Sequence, residues 1–121
     1  MTDKRLFVPL ASAPFAWFAS GRKTWELRKH GRQYTERNLR LGRRVELRRG
    51  YNDAAHAIWG TLKEVKRAGG IEAFFQQVPF ALVIPEAATE AQAVEQAKRI
   101  LKIEDGERCE LIGFRVEVDA S

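Results

Sequence analysis

Apolar residues occupy both parities of Arg5–Leu10, the pattern of a short strand buried within a sheet, and Pro9 falls at its end where a missing donor is tolerated. Ser12-Ala13-Pro14 reads as a helix start, with serine as the cap and proline in the first turn. The helix spans 12–20 and stops at Gly21, a residue suited to the left-handed terminal position. Phe15, Trp17 and Phe18 crowd this helix and are assigned to the core. Residues 24–30 alternate, with Trp25 and Leu27 on one side and Thr24, Glu26 and Arg28 on the other, which predicts a strand. Residues 43–50 repeat the pattern, with Val45 and Leu47 inward and Arg44, Glu46 and Arg48 outward. The polar, basic stretch 30–42 between them predicts a long exposed loop. A further strand is expected over 57–66, with Gly60 as a bulge or a close-packing point. Residues 71–78 and 89–101 read as helices. The second has Ala93, Val94, Ala97, Ile100 and Leu101 as its apolar stripe and Thr89 as its cap. Residues 110–118 close the chain as a strand with Ile112, Phe114, Val116 and Val118 on one face. The fold class is α+β: a small curled sheet or barrel with helices at its ends.

Composition narrows the picture. A chain of 121 residues with no repeat and no low-complexity linker is read as one domain, 1–121, and 45% hydrophobic against 31% charged residues is a globular balance. The lone cysteine, Cys109, excludes an internal disulfide framework and multi-cysteine zinc sites; it reads as a small buried strand residue rather than a reactive thiol. His30 and His56 lack the close acidic spacing of a metal motif, so neither a metal nor another cofactor is expected. No apolar run approaches the roughly 20 residues of a membrane span, and Met1–Arg5 lacks a secretory apolar region. The expectation is a soluble, cytoplasmic protein without a membrane partner.

Charge is distributed unevenly. Residues 1–67 carry 16 Lys/Arg against 6 Asp/Glu, whereas residues 68–121 carry 5 against 10. Fourteen of the 21 cations are arginine, whose planar fork suits phosphates and stacks on bases. A polyanionic partner, nucleic acid, follows, with a merely solvated basic face as the alternative.

The densest stretch is Gly21-Arg22-Lys23-Thr24-Trp25-Glu26-Leu27-Arg28. A glycine ends a helix, a lysine enters a strand, and a glutamate and an arginine share one strand face about 7 Å apart. Read alone, Glu26 and Arg28 are a base-reading pair or a structural ion pair on a barrel wall. The run Gly21-x-Lys23-x-x-Glu26-x-Arg28 resembles the signature of the ASCH domain, within the PUA-like superfamily of β-barrels. Leu41-Gly42-x-x-Val45-x-Leu47, Trp59-Gly60-Thr61 and Ile112-Gly113-Phe114-x-Val116 are similar to later strands of that family, so the resemblance covers about residues 5–118. It implies a five- or six-stranded barrel with peripheral helices and nucleic acid bound in a cleft beside the octet.

The leading functional expectation is a module holding single-stranded RNA or a modified nucleotide. Lys23, Arg28, Arg48 and Arg49 are its candidate phosphate contacts, and Arg22 is a further nucleic-acid-binding candidate. Glu26 would accept from a base edge. Tyr51 can stack a base and Asn52 read one, although Asn52-Asp53 also suits a plain turn. Trp59 is either an outward stacking platform or packed under a helix. The second class is an enzyme acting on RNA or a modified nucleoside, with Lys23 and Glu26 as catalytic residues. Some ASCH proteins resemble amidohydrolases of N4-acetylcytidine that use a Lys–Thr–Glu set. Lys23 matches that lysine, but Glu26 stands where the threonine would, and Thr89, flanked by Glu86 and Glu90, occupies about the place of the distal glutamate. A third class is a protein-interaction module through the apolar segment 71–84, a dimer face or else core packing over the barrel end. The expected state is a monomer or a weak homodimer.

Overall fold

The computed structural model describes residues 4–51 and 56–120. Among these, five strands form one mixed sheet: β1 (Leu6–Leu10), β2 (Trp25–Lys29), β3 (Arg44–Arg49), β4 (Ala57–Ala68) and β5 (Leu111–Val118). Helix α1 (Ser12–Ala19) joins β1 to β2, and α2 (Ile71–Gln77) and α3 (Glu90–Leu101) lie between β4 and β5, separated by a 3-10 turn at Phe80–Leu82. The spatial order is β1-β3-β4-β5-β2. β1 and β3 run parallel and the other neighbours antiparallel. The sheet curls into a half-barrel with β1 and β2 as its two edges.

Alternation along β5 divides the core in two. Leu111 packs with Trp25, Leu27, Phe74 and the buried stripe of α3, on the helical side of the sheet. Ile112, Phe114 and Val116 pack with Leu6, Val8, Val45, Leu47 and Leu62 inside the curl. Gly113 allows the two sides to close up: a Cβ there would lie 2.2 Å from Cζ of Phe74. Fully burying a ring such as Phe74 contributes about 1.5–3 kcal/mol, so Gly113→Ala would forfeit much of that packing. Cross-strand partners share a face, and Glu26 pairs with Phe114 while Arg28 pairs with Ile112. Two charged side chains therefore end the apolar interior where the curl is open.

Some expectations change and others hold. The N-cap of α1 is Ala11, without a side-chain cap, and Ser12 is the first helical residue. Thr89 does cap α3, accepting from the Gln92 amide at 3.2 Å. Gly60 is a close-packing point, with the irregularity of β4 displaced to Leu62/Glu64. Cys109 is half-buried just before β5 rather than on a strand. The stretch 30–42 is not wholly exposed, since Leu39 is buried in the inner core and Tyr34 stacks on Phe114 at 5.9 Å. Ile100, assigned to the apolar stripe of α3, is exposed. The segment 71–84 is mostly core: Phe74, Phe75, Val78, Val83 and Ile84 are all buried.

Candidate functional site

The octet spans the turn from α1 into β2, and backbone bonds hold it from two sides. Gly21 adopts φ +79°, which a side chain would resist, and turns the chain out of the helix. The Arg22 and Lys23 amides both donate to the Trp17 carbonyl, at 3.0 and 3.1 Å, and the Thr24 amide donates to the Leu82 carbonyl at 3.0 Å. Lys23 is thus fixed between α1 and the turn before α3. Its side chain is buried, and Nζ donates to the Val83 carbonyl at 2.6 Å. The same ammonium lies 3.2 Å from Oε1 of Glu26.

Glu26 is the hub. Its Oε2 accepts from Nε and Nη2 of Arg28 at 2.9 and 2.6 Å. Arg28 also donates to the Tyr34 hydroxyl at 2.9 Å and, through Nη2, to the Pro9 carbonyl at 2.9 Å. Its guanidinium lies 4.9 Å from the Tyr34 ring centroid. Arg28 therefore ties β2 to β1 across the gap between the two sheet edges. Burial disfavours the Glu26 carboxylate, but Lys23 and Arg28 outweigh it and hold its pKa below the ordinary value. Burial lowers the pKa of Lys23, because the one charge of Glu26 is shared with Arg28 and offsets the lost hydration only in part. Burial likewise raises that of Tyr34.

Beside this triad, in the seam between β1 and β2, lies a cavity of about 470 Å³. Lys23, Glu26 and Arg28 line it, together with apolar walls that include Leu10, Trp17, Ile84 and Leu101. Exposed Ile100 stands on the same lining, which accounts for its place outside the core. An apolar pocket of this size with a few convergent polar groups suits a small organic ligand. Among the described residues no group of three or more His, Cys, Asp or Glu is placed to hold a metal ion. No helix among them is long and apolar enough to cross a membrane.

No family model matches the sequence, and no curated protein matches it. Solved structures do. The hypothetical protein PH0355 superimposes with a TM-score of 0.75 at 13% identity, over 96% of this chain and 100% of that one. Protein PF0455 from Pyrococcus furiosus gives 0.71 at 10% identity, over 98% and 100%. A variant of the ASCH protein from Zymomonas mobilis gives 0.62 at 15% identity, over 97% of this chain and 70% of that one. The chain has the ASCH fold.

Within this ASCH fold the candidate residues separate into two groups. Lys23, Glu26 and Arg28 meet at the cavity. Arg22 is exposed at its flank, 3.9 Å from Oε1 of Glu86. Arg48 lies on the outer face of β3, paired with Glu46 through Nε at 2.9 Å and stacked 4.9 Å over Phe7. Arg5 is the second cation on Glu46. Trp59 is on that outer face too, 40% exposed, with Arg44 5.9 Å from its ring. Arg49 is directed at Nδ1 of His56, 3.3 Å away. Tyr51 is 71% exposed and lies 6.0 Å from Phe7. Asn52 lies outside the described residues. Thr89 is engaged as the cap of α3, and Glu86 accepts from Nε1 of Trp17 at 3.2 Å.

Sequence reasoning missed three partners of the triad, the Val83 and Pro9 carbonyls and Tyr34, and one wall of the cavity, Trp17. The carbonyls carry no signal in residue identity. Tyr34 was the one aromatic in the basic stretch 30–42, and Trp17 looked like core because its helix is aromatic throughout.

Proposed function

We propose that the seam cavity takes up an unstacked nucleobase, presented by single-stranded RNA or by a free modified nucleotide. The observation that carries this is the unused hydrogen-bonding capacity of the ion pair. An ammonium has three donors, and Lys23 directs one at Val83 and one at Glu26. A carboxylate has about four acceptor positions, and Glu26 engages three, two by Arg28 and one by Lys23. One donor position and one acceptor position are left by these bonds, with the Lys23 ammonium also 5.5 Å from the Phe18 ring centroid, and in this reading the ligand takes both. A base edge carries that complement, and an indole wall such as Trp17 adds a stacking surface.

Binding accounts for these groups better than hydrolysis does. Glu26 is held as a carboxylate by two cations and is ill suited to donate a proton at neutral pH. Lys23 has a lowered pKa, the feature that favours a catalytic reading, but its ammonium is anchored to a carbonyl and a carboxylate. The test is fluorescence anisotropy with a labelled single-stranded RNA, competed by nucleosides. Trp17→Ala and Glu26→Gln should each weaken binding by roughly tenfold, the effect of removing one buried contact in such a site. Binding that is absent at low salt, or unchanged in both folded variants, overturns the reading. Turnover of RNA or acetylated nucleoside that disappears in Lys23→Ala would establish the enzyme instead.

A further inference from the structure

Next to the seam cavity runs a second groove of about 470 Å³ that the octet does not account for. Arg28, Ile100 and Leu101 line both. The rest of the second lining holds three cations, Lys29, Arg32 and Lys102, with His30, Gly31 and Tyr34 beside them and no carboxylate among the lining residues. Arg28 is matched by Glu26. His30 is engaged by Glu36, whose Oε1 is 2.8 Å from Nε2, and Glu36 in turn holds Arg67. Lys29 reaches only the Lys102 carbonyl, at 3.4 Å. Among the described residues no carboxylate pairs with Lys29, Arg32 or Lys102, and Asp105 beyond them is held by Lys98. The terminal carbonyls of α3 do not oppose an anion freely, because the Lys102 and Ile103 amides donate to those of Arg99 and Lys98.

The backbone singles out the same place. Among the described residues two non-glycine residues have positive φ, Arg32 at 53° and Lys102 at 57°. Arg32 sits in the tight turn closed by reciprocal bonds between Gly31 and Tyr34, and Lys102 ends α3. Glycine or asparagine is the usual occupant of such positions, and a long cation is uncommon there. Both are cations, and both line this groove. Strain retained at a cluster of uncompensated charge is what a ligand site would explain.

Resting on the base-binding reading of the seam, we infer that this groove holds a phosphate of the same ligand, so that the ligand is a nucleotide and not a free base or nucleoside. The base would enter the seam cavity, and its phosphate would lie past Arg28 against Lys29, Arg32 and Lys102. A monophosphate and the phosphodiester of a strand offer the same chemistry here.

The experiment compares cytidine and adenosine, their 5′- and 3′-monophosphates and a short single-stranded RNA, by calorimetry on the full chain. For the wild type a phosphate should tighten binding by about tenfold over the nucleoside. Arg32→Gly with Lys102→Gly should abolish that gain and leave nucleoside affinity alone. Because glycine relieves both left-handed positions, Tm should hold or rise, which separates lost contacts from a lost fold. On RNA the double variant should lower the salt slope by about 0.7 for each phosphate contact removed. A gain seen with the monophosphates identifies the free nucleotide as sufficient; a gain confined to RNA identifies the strand as the source. If nucleosides bind but phosphate adds nothing, or the gain survives in the double variant, the groove assignment falls and the cavity reading stands. If neither nucleoside, nucleotide nor RNA binds the wild type, both fall together.

Discussion

Glu26 on β2 and Glu46 on β3 are both buried carboxylates standing between two cations, yet their surroundings differ. Around Glu26 the cations are themselves withdrawn from water: the side chain of Lys23 is 4% exposed and that of Arg28 22%. Around Glu46, Arg48 is 19% exposed, much like Arg28, but Arg5 is 47% exposed, and both arginines lie against the ring of Phe7 on the outer face of the sheet. Each carboxylate engages three of about four acceptor positions, but the first cluster contains a buried ammonium and borders the seam cavity, whereas the second joins two guanidinium groups on the outer face. Similar ion-pair chemistry thus borders a cavity in one region and ties down a sheet face in the other. What distinguishes them is the second cation, a buried ammonium at Lys23 against a half-exposed guanidinium at Arg5, and the space beside it.

The sharpest way to break this comparison is to remove each negative charge in turn. Glu26→Gln leaves two buried cations uncompensated and should destabilise the fold by about 3–5 kcal/mol. Glu46→Gln should cost only about 1 kcal/mol, since Arg5 can turn to water. Urea unfolding of both variants measures the pair, and equal losses would erase the distinction. Lys23→Met should fall between them. It removes a buried charge, leaves the Glu26–Arg28 pair intact and deprives the Val83 carbonyl of its donor, for about 1–3 kcal/mol.

A smaller effect sharpens the comparison through pH. Native Glu26 and Glu46 both have pKa values below the ordinary 4.5. Each therefore adds stability that is complete above that value and is lost as pH falls through its native pKa. The gap between wild type and either Gln variant should narrow below about pH 4.5. At the alkaline end the sign comes from Lys23, whose native pKa lies below 10.5. The unfolded chain then binds the extra proton, so the wild type should gain stability relative to Lys23→Met as pH rises toward 10.5. Thermal melts across both ranges test the two signs.

Much of this architecture was legible in the chain. Alternation at Trp25/Leu27, Val45/Leu47 and Ile112–Val118 marks three strands, because one face of each must be buried. The octet pointed to Lys23 and Glu26. Which of the sheet's two faces each side chain occupies was harder to read. Both faces of β2 are covered, one by helices and one by the curl, so polar alternation at Glu26 signals a buried seam rather than solvent. Arg48 and Trp59 looked like neighbours of the octet, but strand order puts β3 and β4 between β1 and β5, away from β2. The grip of Arg28 on the Pro9 carbonyl had no sequence signal, since its partner is backbone.

That grip bears on solubility as well. A sheet that stops short of closing has two free borders, and free strand borders recruit further strands from other molecules. Here the border of β1 is blunted three times over. Gln33 donates to the Phe7 carbonyl at 2.8 Å, Arg28 occupies the Pro9 carbonyl, and proline has no amide proton to offer. An arriving strand would have to displace two charged or amide side chains and would still find a gap in its ladder. Arg28, which lines the seam, and Gln33 thus also occupy the backbone acceptors that an added strand would need.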